Sequence, residues 1–267
     1  MTTIYVLGSG SSGNCLALES AAGVLLVDAG FSAKEIGRRA ARVALDLGRV
    51  VGIALTHEHT DHTAGAARLA RTLRVPVLTS PGTWDRLRPA MPAADYRPLR
   101  LMGQTAHAGF LIEAAPTSHD AAEPVALAVT TPAGHRIGLA YDLGRPTTGV
   151  RYLLRGADAL VLEANHDDVL LRTSGYPPAV QERIAGSGGH LSNRAAAELV
   201  EGLVHPGLAA VVLAHLSERC NSPAEARAAV ELVLRRAGHS CSLHVARQDE
   251  PLAPVRLTTR YLLAVDG

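Results

Sequence analysis

Apolar residues along the 267-residue chain come in short runs, most of them ending at a polar or glycine-rich segment. "TIYVLGSG" reads as a strand entering a glycine-serine turn, and "LALES…GVLLVDAG" as a hairpin ending at Asp28. "SAKEIGRRAARVALDL" switches to helical spacing, with Ser32 as N-cap and Glu35 three residues on. "VVGIALTHEHTDH" is a buried strand running into a polar loop, followed by the helix "TAGAARLARTL" and the short strand "VPVLTS". Residues 81–105 are rich in Pro and Arg and predict a helix and a loop with no clear chemistry.

From about residue 108 strands dominate again. "FLIEAAPTSHD", "PVALAVTTPAGHRIGLAYDLG" (a hairpin turning at Pro132–Gly134) and "ADALVLEANHD" precede the helix "LSNRAAAELVEGL". The strand "LAAVVLAHLS" and the helix "SPAEARAAVELVLRRAG" follow. The closing "SLHVARQDEPLAPVRL" predicts one edge strand. Strands first and helices after, in each half, suggest two sheets packed face to face with helices outside, in one α/β domain spanning 1–267.

Composition narrows the class. A chain that is 47% hydrophobic can bury a sizeable core, and its net charge is only +1. Lys34 is the only lysine, and no polybasic run predicts a broad nucleic-acid or membrane face. "MTTIYVLGSG" lacks the features of a signal peptide, and no apolar run reaches transmembrane length. Cys15, Cys220 and Cys241 are too few and too scattered for a disulfide framework. A soluble cytoplasmic protein with no membrane partner is expected. Twelve histidines are the one unusual count.

"THEHTDH" is the strongest chemical signal. His57 and His59 are two apart, so in an extended segment both imidazoles point the same way. Asp61 and His62 follow where a helix begins, and their side chains can serve a second position nearby. One metal cannot use all four from so short a loop, but two adjacent metals can. Three further candidates sit just after apolar strands: His119 in "PTSHD", Asp142 in "LAYDLG" and His215 in "VLAHLS". Together they complete a three-histidine site, an Asp-His-His site and one carboxylate able to bridge.

Asp28, "THEHTDH", His119, Asp142 and His215, in that order, resemble the five ordered motifs of the metallo-β-lactamase superfamily over essentially the whole chain. The resemblance implies a four-layer αββα sandwich with a dinuclear site at one edge of the sheets. Carried over, His57, His59 and His119 would hold one metal, and Asp61, His62 and His215 the other. Asp142 would bridge, and Asp28 would brace the histidine loop. "LGSGSSGN", "DAGFS", "LTHEHTDHTAG", "LEANHD" and "GHLSN…HLSERCN" further resemble the YycJ/WalJ-like branch. That branch is similar to tRNase Z and to the cyclic phosphodiesterase of phosphonate breakdown, and is associated with 5′–3′ exonuclease activity on DNA. The chain departs from the β-CASP nucleases, having no room for their inserted domain, and shows no long arm like that of tRNase Z.

The supporting motifs admit plainer readings. "GSGSSGN" (Gly8 to Asn14) could present backbone N–H groups, the hydroxyls of Ser9, Ser11 and Ser12, and Asn14 to a phosphate, or it is a tight turn. Glu163 and His166 in "LEANHD" sit where they could orient a group near the metals, or simply terminate a strand. Cys220 reads as a small buried filler. His190, in "SGGHLSN", is left over once the metal sites are filled. It resembles the proton-donating histidine of the tRNase Z-like enzymes, with Glu163 holding its imidazole.

The expected activity is a dinuclear metal-dependent phosphodiesterase, most specifically a nuclease. Metal-bound hydroxide would attack phosphorus, and His190, Glu163 and Asp61 would form the catalytic set. The cofactors would be two divalent ions, zinc or manganese, with iron also compatible. Nucleic acid is the expected partner, DNA favoured over RNA. A small-molecule hydrolase of cyclic phosphodiesters, lactones or thioesters on the same fold is the alternative. A non-catalytic scaffold is disfavoured because all seven candidate ligands are present. Cleavage polarity and oligomeric state are not legible.

Overall fold

The computed structural model describes residues 1–258; residues 259–267 of the domain expected over 1–267 lie outside the described residues. The first sheet is built from β1 (Thr2–Gly8), β2 (Cys15–Ser20), β3 (Gly23–Val27), β4 (Val50–Ala54), β5 (Val77–Thr79) and β6 (Tyr96–Pro98), side by side in chain order. Its helices are α1 (Ala33–Arg42), the single turn α2 (Thr60–Thr63), α3 (Ala66–Leu73) and α4 (Pro81–Leu87). The second sheet starts with β7 (Gln104–His107), β8 (Phe110–Pro116), β9 (Val125–Thr130) and β10 (Arg136–Ala140). It continues through α5 (Thr148–Leu153), β11 (Ala159–Glu163), α6 (Asp168–Thr173), α7 (Pro178–Ala185), α8 (Asn193–Glu201), β12 (Ala210–Ala214), α9 (Pro223–Arg236) and β13 (Ser242–Val245). A last strand, β14 (Val255–Leu257), returns to pair antiparallel with β1.

Alternation along the strands creates three apolar layers. Leu16, Leu18, Leu25 and Val27 of the first sheet meet Ile112, Leu127, Leu139 and Val161 of the second between the sheets. Leu7, Leu26 and Ile53 face outward against Ile36, Leu69 and Trp84 of the helices. On the far side, Leu160, Leu162 and Leu213 pack against Val150, Leu199 and Val230. Because both faces of each central strand are covered, their sequences run almost continuously apolar. The result is the expected αββα order.

Several expectations shift. The helix read over 32–47 has its predicted cap, with Ser32 Oγ accepting from Glu35 N at 3.2 Å. It stops at Arg42, where the chain turns through Ala44 at φ +55°. The helix read over 63–73 is broken into α2 and α3 at Gly65, whose N–H donates to Ala29 O. A Cβ on Gly65 would lie 2.3 Å from Phe31 O, so the break comes with close backbone packing. The second sheet begins at Gln104 within the stretch read as loop, and α5, α6 and α7, of six to eight residues each, were not foreseen. The single closing edge strand is corrected to two. β13 extends the second sheet beside β12, and β14 closes the first beside β1, because a segment carrying Pro251 and Pro254 crosses between them. The expected hairpin at Pro132–Gly134 is present between β9 and β10.

The topology gathers chain ends. β3 and β4 run parallel, as do β10, β11 and β12, and β8 points the same way as β10 through the antiparallel β9. Their carboxyl ends release Asp28, the His57–His62 loop, Asp142, Glu163, His215 and His119. Side chains distant in sequence therefore meet where loops leave the strands.

Candidate metal centre

Three of these strand-end residues adopt left-handed backbone conformations: Asp28 at φ +58°, Asp142 at +54° and His215 at +55°. Non-glycine residues occupy this region only when their surroundings hold them there. For Asp28 the surroundings are explicit. Its buried carboxylate accepts from Thr56 N at 2.8 Å, Thr56 Oγ1 at 2.9 Å, Tyr141 Oη at 2.7 Å and His62 Nδ1 at 2.8 Å. Asp28 thus pins the histidine loop to its own strand end. Gly30 lets the loop close on it, since a Cβ there would stand 1.7 Å from Asp61 O.

The hydrogen bonds assign which nitrogen of each ring is free. Thr56 Oγ1 gives its proton to Asp28, so at 3.1 Å it accepts from His57 Nδ1. His119 Nδ1 donates to Gly189 O at 3.2 Å, and His215 Nδ1 to Glu163 Oε1 at 2.8 Å. His62 Nδ1 is spent on Asp28. The Asn14 amide is fixed because its Oδ1 accepts from Ser9 Oγ and Gly10 N, so its Nδ2 points at His62 Nε2 from 3.1 Å. His62 Nε2 therefore presents a lone pair, yet Asp142 Oδ2 lies 2.8 Å from it.

This arrangement fits divalent cations. Asp142 Oδ2, His57 Nε2 and His215 Nε2 are buried with no hydrogen-bond partner, and unpaired buried polar atoms are costly. Ligand atoms of His57, His59 and His119 lie within 4.8 Å of one another, and so do those of Asp61, His62 and His215. His59 Nδ1 and His119 Nε2 are 3.4 Å apart. Two nitrogens of a tetrahedral zinc site with bonds of about 2.0–2.1 Å stand about 3.3 Å apart. Asp142 faces both triads, with Oδ2 at His62 and Oδ1 3.8 Å from His119 Nε2. A further grouping of Asp142, Glu163, His190 and His215 is equally compact, but Glu163 Oε1 there already accepts both Nδ1 protons. It is held together by protons and needs no ion.

Electrostatics agree. Burial alone lowers the imidazole of His62, but Asp142 and Asp28 outweigh it and hold the group well above its ordinary value. The field demands positive charge at this ring, and the Asn14 N–H opposes a proton at Nε2, which leaves that place to a cation. Burial likewise lowers His215 and the Asp142 charge overrides it, raising the imidazole to about 9. Burial would raise Asp142, but His215 and His62 hold it well below the carboxylate range. At His57 the Asp142 charge also favours the protonated ring, but burial first and the His62 charge next outweigh it and push the imidazole well down.

His190 stands beside this cluster. Its Nδ1 donates to Glu163 Oε1 at 2.9 Å, while Glu163 Oε2 accepts from Leu143 N and Leu191 N, both at 3.0 Å. Burial would lower His190, but the Glu163 charge raises it to about 10. A cleft of about 130 Å³ opens over the candidate ligands, and His190 and Ser11 line it too. Ser9 and Asn14 belong instead to the scaffold, Ser9 Oγ also accepting from His215 N at 2.8 Å. Ser12 is exposed, with its N–H on Gln248 Oε1. His166 is buried behind Glu163 and His190, outside every group of atoms able to share an ion, and its backbone O receives Asn193 N.

Sequence reasoning missed Thr56 and Tyr141, which complete the Asp28 brace, and Asp120 and Arg183, which line the cleft. Thr56 and Tyr141 each directly precede a candidate ligand, which was the available signal. Four larger cavities, of about 450, 400, 330 and 320 Å³, involve none of the seven candidate ligands.

A family model described as "Beta-lactamase superfamily domain" matches residues 24–216. An exodeoxyribonuclease YycJ of Bacillus anthracis is 34% identical over 236 residues, covering 87% of this chain and 89% of its own. An exodeoxyribonuclease WalJ of Streptococcus pneumoniae is 32% identical over 225 residues, covering 81% and 82%. The solved structure of YhfI from Bacillus subtilis, a metallo-β-lactamase fold protein, matches with a TM-score of 0.70 at 16% identity, covering 94% and 98%. That last likeness shows the fold.

Proposed function

The chain belongs to the β-lactamase superfamily and is a metal-dependent hydrolase, and from that premise we propose that it is a dinuclear phosphodiesterase acting on DNA as a 5′–3′ exonuclease. The observation that carries this reading is that Asp142 lies beside His62 of one candidate triad and near His119 of the other, while His190, hydrogen-bonded to Glu163, belongs to neither triad. His57, His59 and His119 would hold one ion; Asp61, His62 and His215 the other; Asp142 both. Zinc, manganese and iron all suit this donor set. Divalent ions so placed activate water as the nucleophile and offset charge on phosphoryl oxygens.

The remaining work falls to the chain's own groups. A departing sugar oxygen needs a proton, and the Glu163 hydrogen bond on Nδ1 turns the opposite nitrogen of His190 away from the anchor. That Nε2 is the donor, worth about 10²–10⁴-fold in rate for a poor leaving group. Asp61 would help hold one of the ions, and because it lines the cleft it would also stand near the attacking water. The two relatives named as exodeoxyribonucleases support the choice of DNA, which in turn implies the cytoplasm. We read residues 1–267 as one working unit.

The test is a substrate panel on protein reconstituted with zinc or manganese. Single- and double-stranded DNA carrying 5′ or 3′ labels, RNA, a nitrophenyl phosphodiester, a lactone and a thioester are compared. DNA is expected to be cut fastest, with the 5′ label released first as a short product. Lactone or thioester turnover far above every phosphodiester would replace this reading with the small-molecule hydrolase.

A further inference from the structure

We propose that Arg183 is the phosphate-binding cation of the cleft, holding a non-bridging oxygen of the nucleic-acid backbone and thereby selecting phosphodiesters over uncharged esters. The proposal rests on the phosphodiesterase reading and sharpens it.

Among the residues that line the cleft, Arg183 is the one with a permanent positive charge. Its Nη2 donates to Asp120 Oδ2 at 2.9 Å, and Asp120 Oδ1 lies 3.4 Å from His119 Nε2. A single carboxylate therefore separates the guanidinium from a candidate metal ligand. The side chain of Arg183 is 75% exposed, so donors beyond the one used on Asp120 face solvent at the cleft rim. An ion pair this exposed adds little to stability. A planar fork of free N–H groups beside a metal centre is instead suited to bidentate contact with a phosphate.

The backbone fixes where Arg183 sits, independently of the ion pair. It lies in the last turn of α7, and the chain then folds back on that turn. Gly189 N donates to Gly186 O at 2.9 Å and His190 N to Ile184 O at 2.8 Å. Gly189 O receives His119 Nδ1. A Cβ on Gly189 would stand 2.1 Å from Arg183 O, so the loop closes against Arg183 itself. One short segment thus sets Arg183, a candidate ligand and the candidate proton donor in fixed relation. Asp120 carries a negative charge into the path of a polyanion, and Arg183 offsets it there.

The experiment measures binding of a phosphorothioate single-stranded deoxyoligonucleotide to zinc-reconstituted protein by fluorescence anisotropy across a salt series. Variants R183A, R183K and D120N are compared with the parent, and KM and kcat are read on ordinary DNA. R183A is expected to raise Kd and KM about tenfold, as for loss of one charge-assisted contact, with kcat nearly unchanged. It should also flatten the log Kd against log salt slope by about 0.7, one phosphate contact on a single strand. R183K should recover the slope, and D120N should bind as tightly as the parent or tighter. Parent-like Kd and slope in R183A overturn the proposal, and so does D120N reproducing the R183A loss, which would make the ion pair a structural tether. If the parent cleaves DNA in either case, the phosphodiesterase reading stands while this inference falls. If the parent cleaves only uncharged esters, both fall.

Discussion

The triplet His-Leu-Ser occurs at 190–192 and again at 215–217, and the two copies make a controlled comparison. Both leucines are buried in the same outer apolar layer. Both serines accept from a backbone N–H three residues on, Ser192 from Ala195 N and Ser217 from Cys220 N. Both imidazoles donate Nδ1 to the same oxygen of Glu163. Yet His215 directly follows β12 in a left-handed conformation, its side chain 2% exposed, and its unpartnered Nε2 lies 3.6 Å from Asp61. His190 enters from the loop after α7, two residues before the cap of α8, and keeps a quarter of its side chain accessible from the cleft. Identical local chemistry is given two settings by its place in the fold. A strand end aims the ring into the cluster of candidate ligands, and the loop before a helix leaves it at the rim.

The broadest way to break the comparison is to remove what the two histidines share. Glu163 is fully buried, accepts four hydrogen bonds and is held at a pKa of about 2, burial opposing and His190 favouring the charged form. Glu163→Ala leaves two N–H donors on imidazoles and two on the backbone without an acceptor. The expected cost is about 3–5 kcal/mol in urea unfolding of chelator-treated protein, because a buried partner is stripped from charged groups. Turnover should vanish and the zinc content of reconstituted protein should fall. Parent-like stability would show that Glu163 is not the common anchor.

The next prediction separates the copies. His215→Ala should lower bound metal from two ions per chain to about one by elemental analysis and abolish hydrolysis. His190→Ala should keep both ions and slow DNA cleavage by about 10²–10⁴-fold. A nitrophenyl phosphodiester, whose leaving group needs little protonation, should be largely spared. Metal loss in His190→Ala, or equal slowing of both substrates, would remove the proton-donor role from His190.

How much of this was legible follows from distance along the chain. His57, His59, Asp61 and His62 are crowded into one loop, so their convergence could be read directly. His119, Asp142 and His215 could be read as strand-end residues because the apolar runs before them are clear. Arg183 and Asp120 could not, since their meeting depends on the 186–190 loop folding back over α7. Tyr141 looked like core because it continues the apolar run of β10, and only its hydroxyl on Asp28 reveals its part. α5 to α7 escaped because six to eight residues scarcely establish a helical period. The two closing strands merged into one because each is short, and β13 carries no buried face while β14 shows its alternation over only three residues.

The smallest expected effect concerns the serines. Ser192 caps α8, whose first turn follows His190 by three residues, whereas Ser217 closes only an irregular turn before α9. Losing the Ser192 hydroxyl leaves the N–H of Ala195 unpaired at the helix start, which costs about 1 kcal/mol. Ser192→Ala should show that loss in urea unfolding and retain both metal ions. Leu191 N on Glu163 and Asn193 N on His166 O still hold the backbone on either side of it. The position of His190 should therefore loosen without being lost, and DNA cleavage should slow far less than in His190→Ala. Ser217→Ala should leave unfolding within about 0.5 kcal/mol of the parent, since no helix end depends on it. Equal destabilisation by the two substitutions would mean that the turn after His215 is as firmly built as the helix after His190. The contrast between a rim histidine before a helix and a candidate ligand histidine on a strand end would then rest on the rings alone.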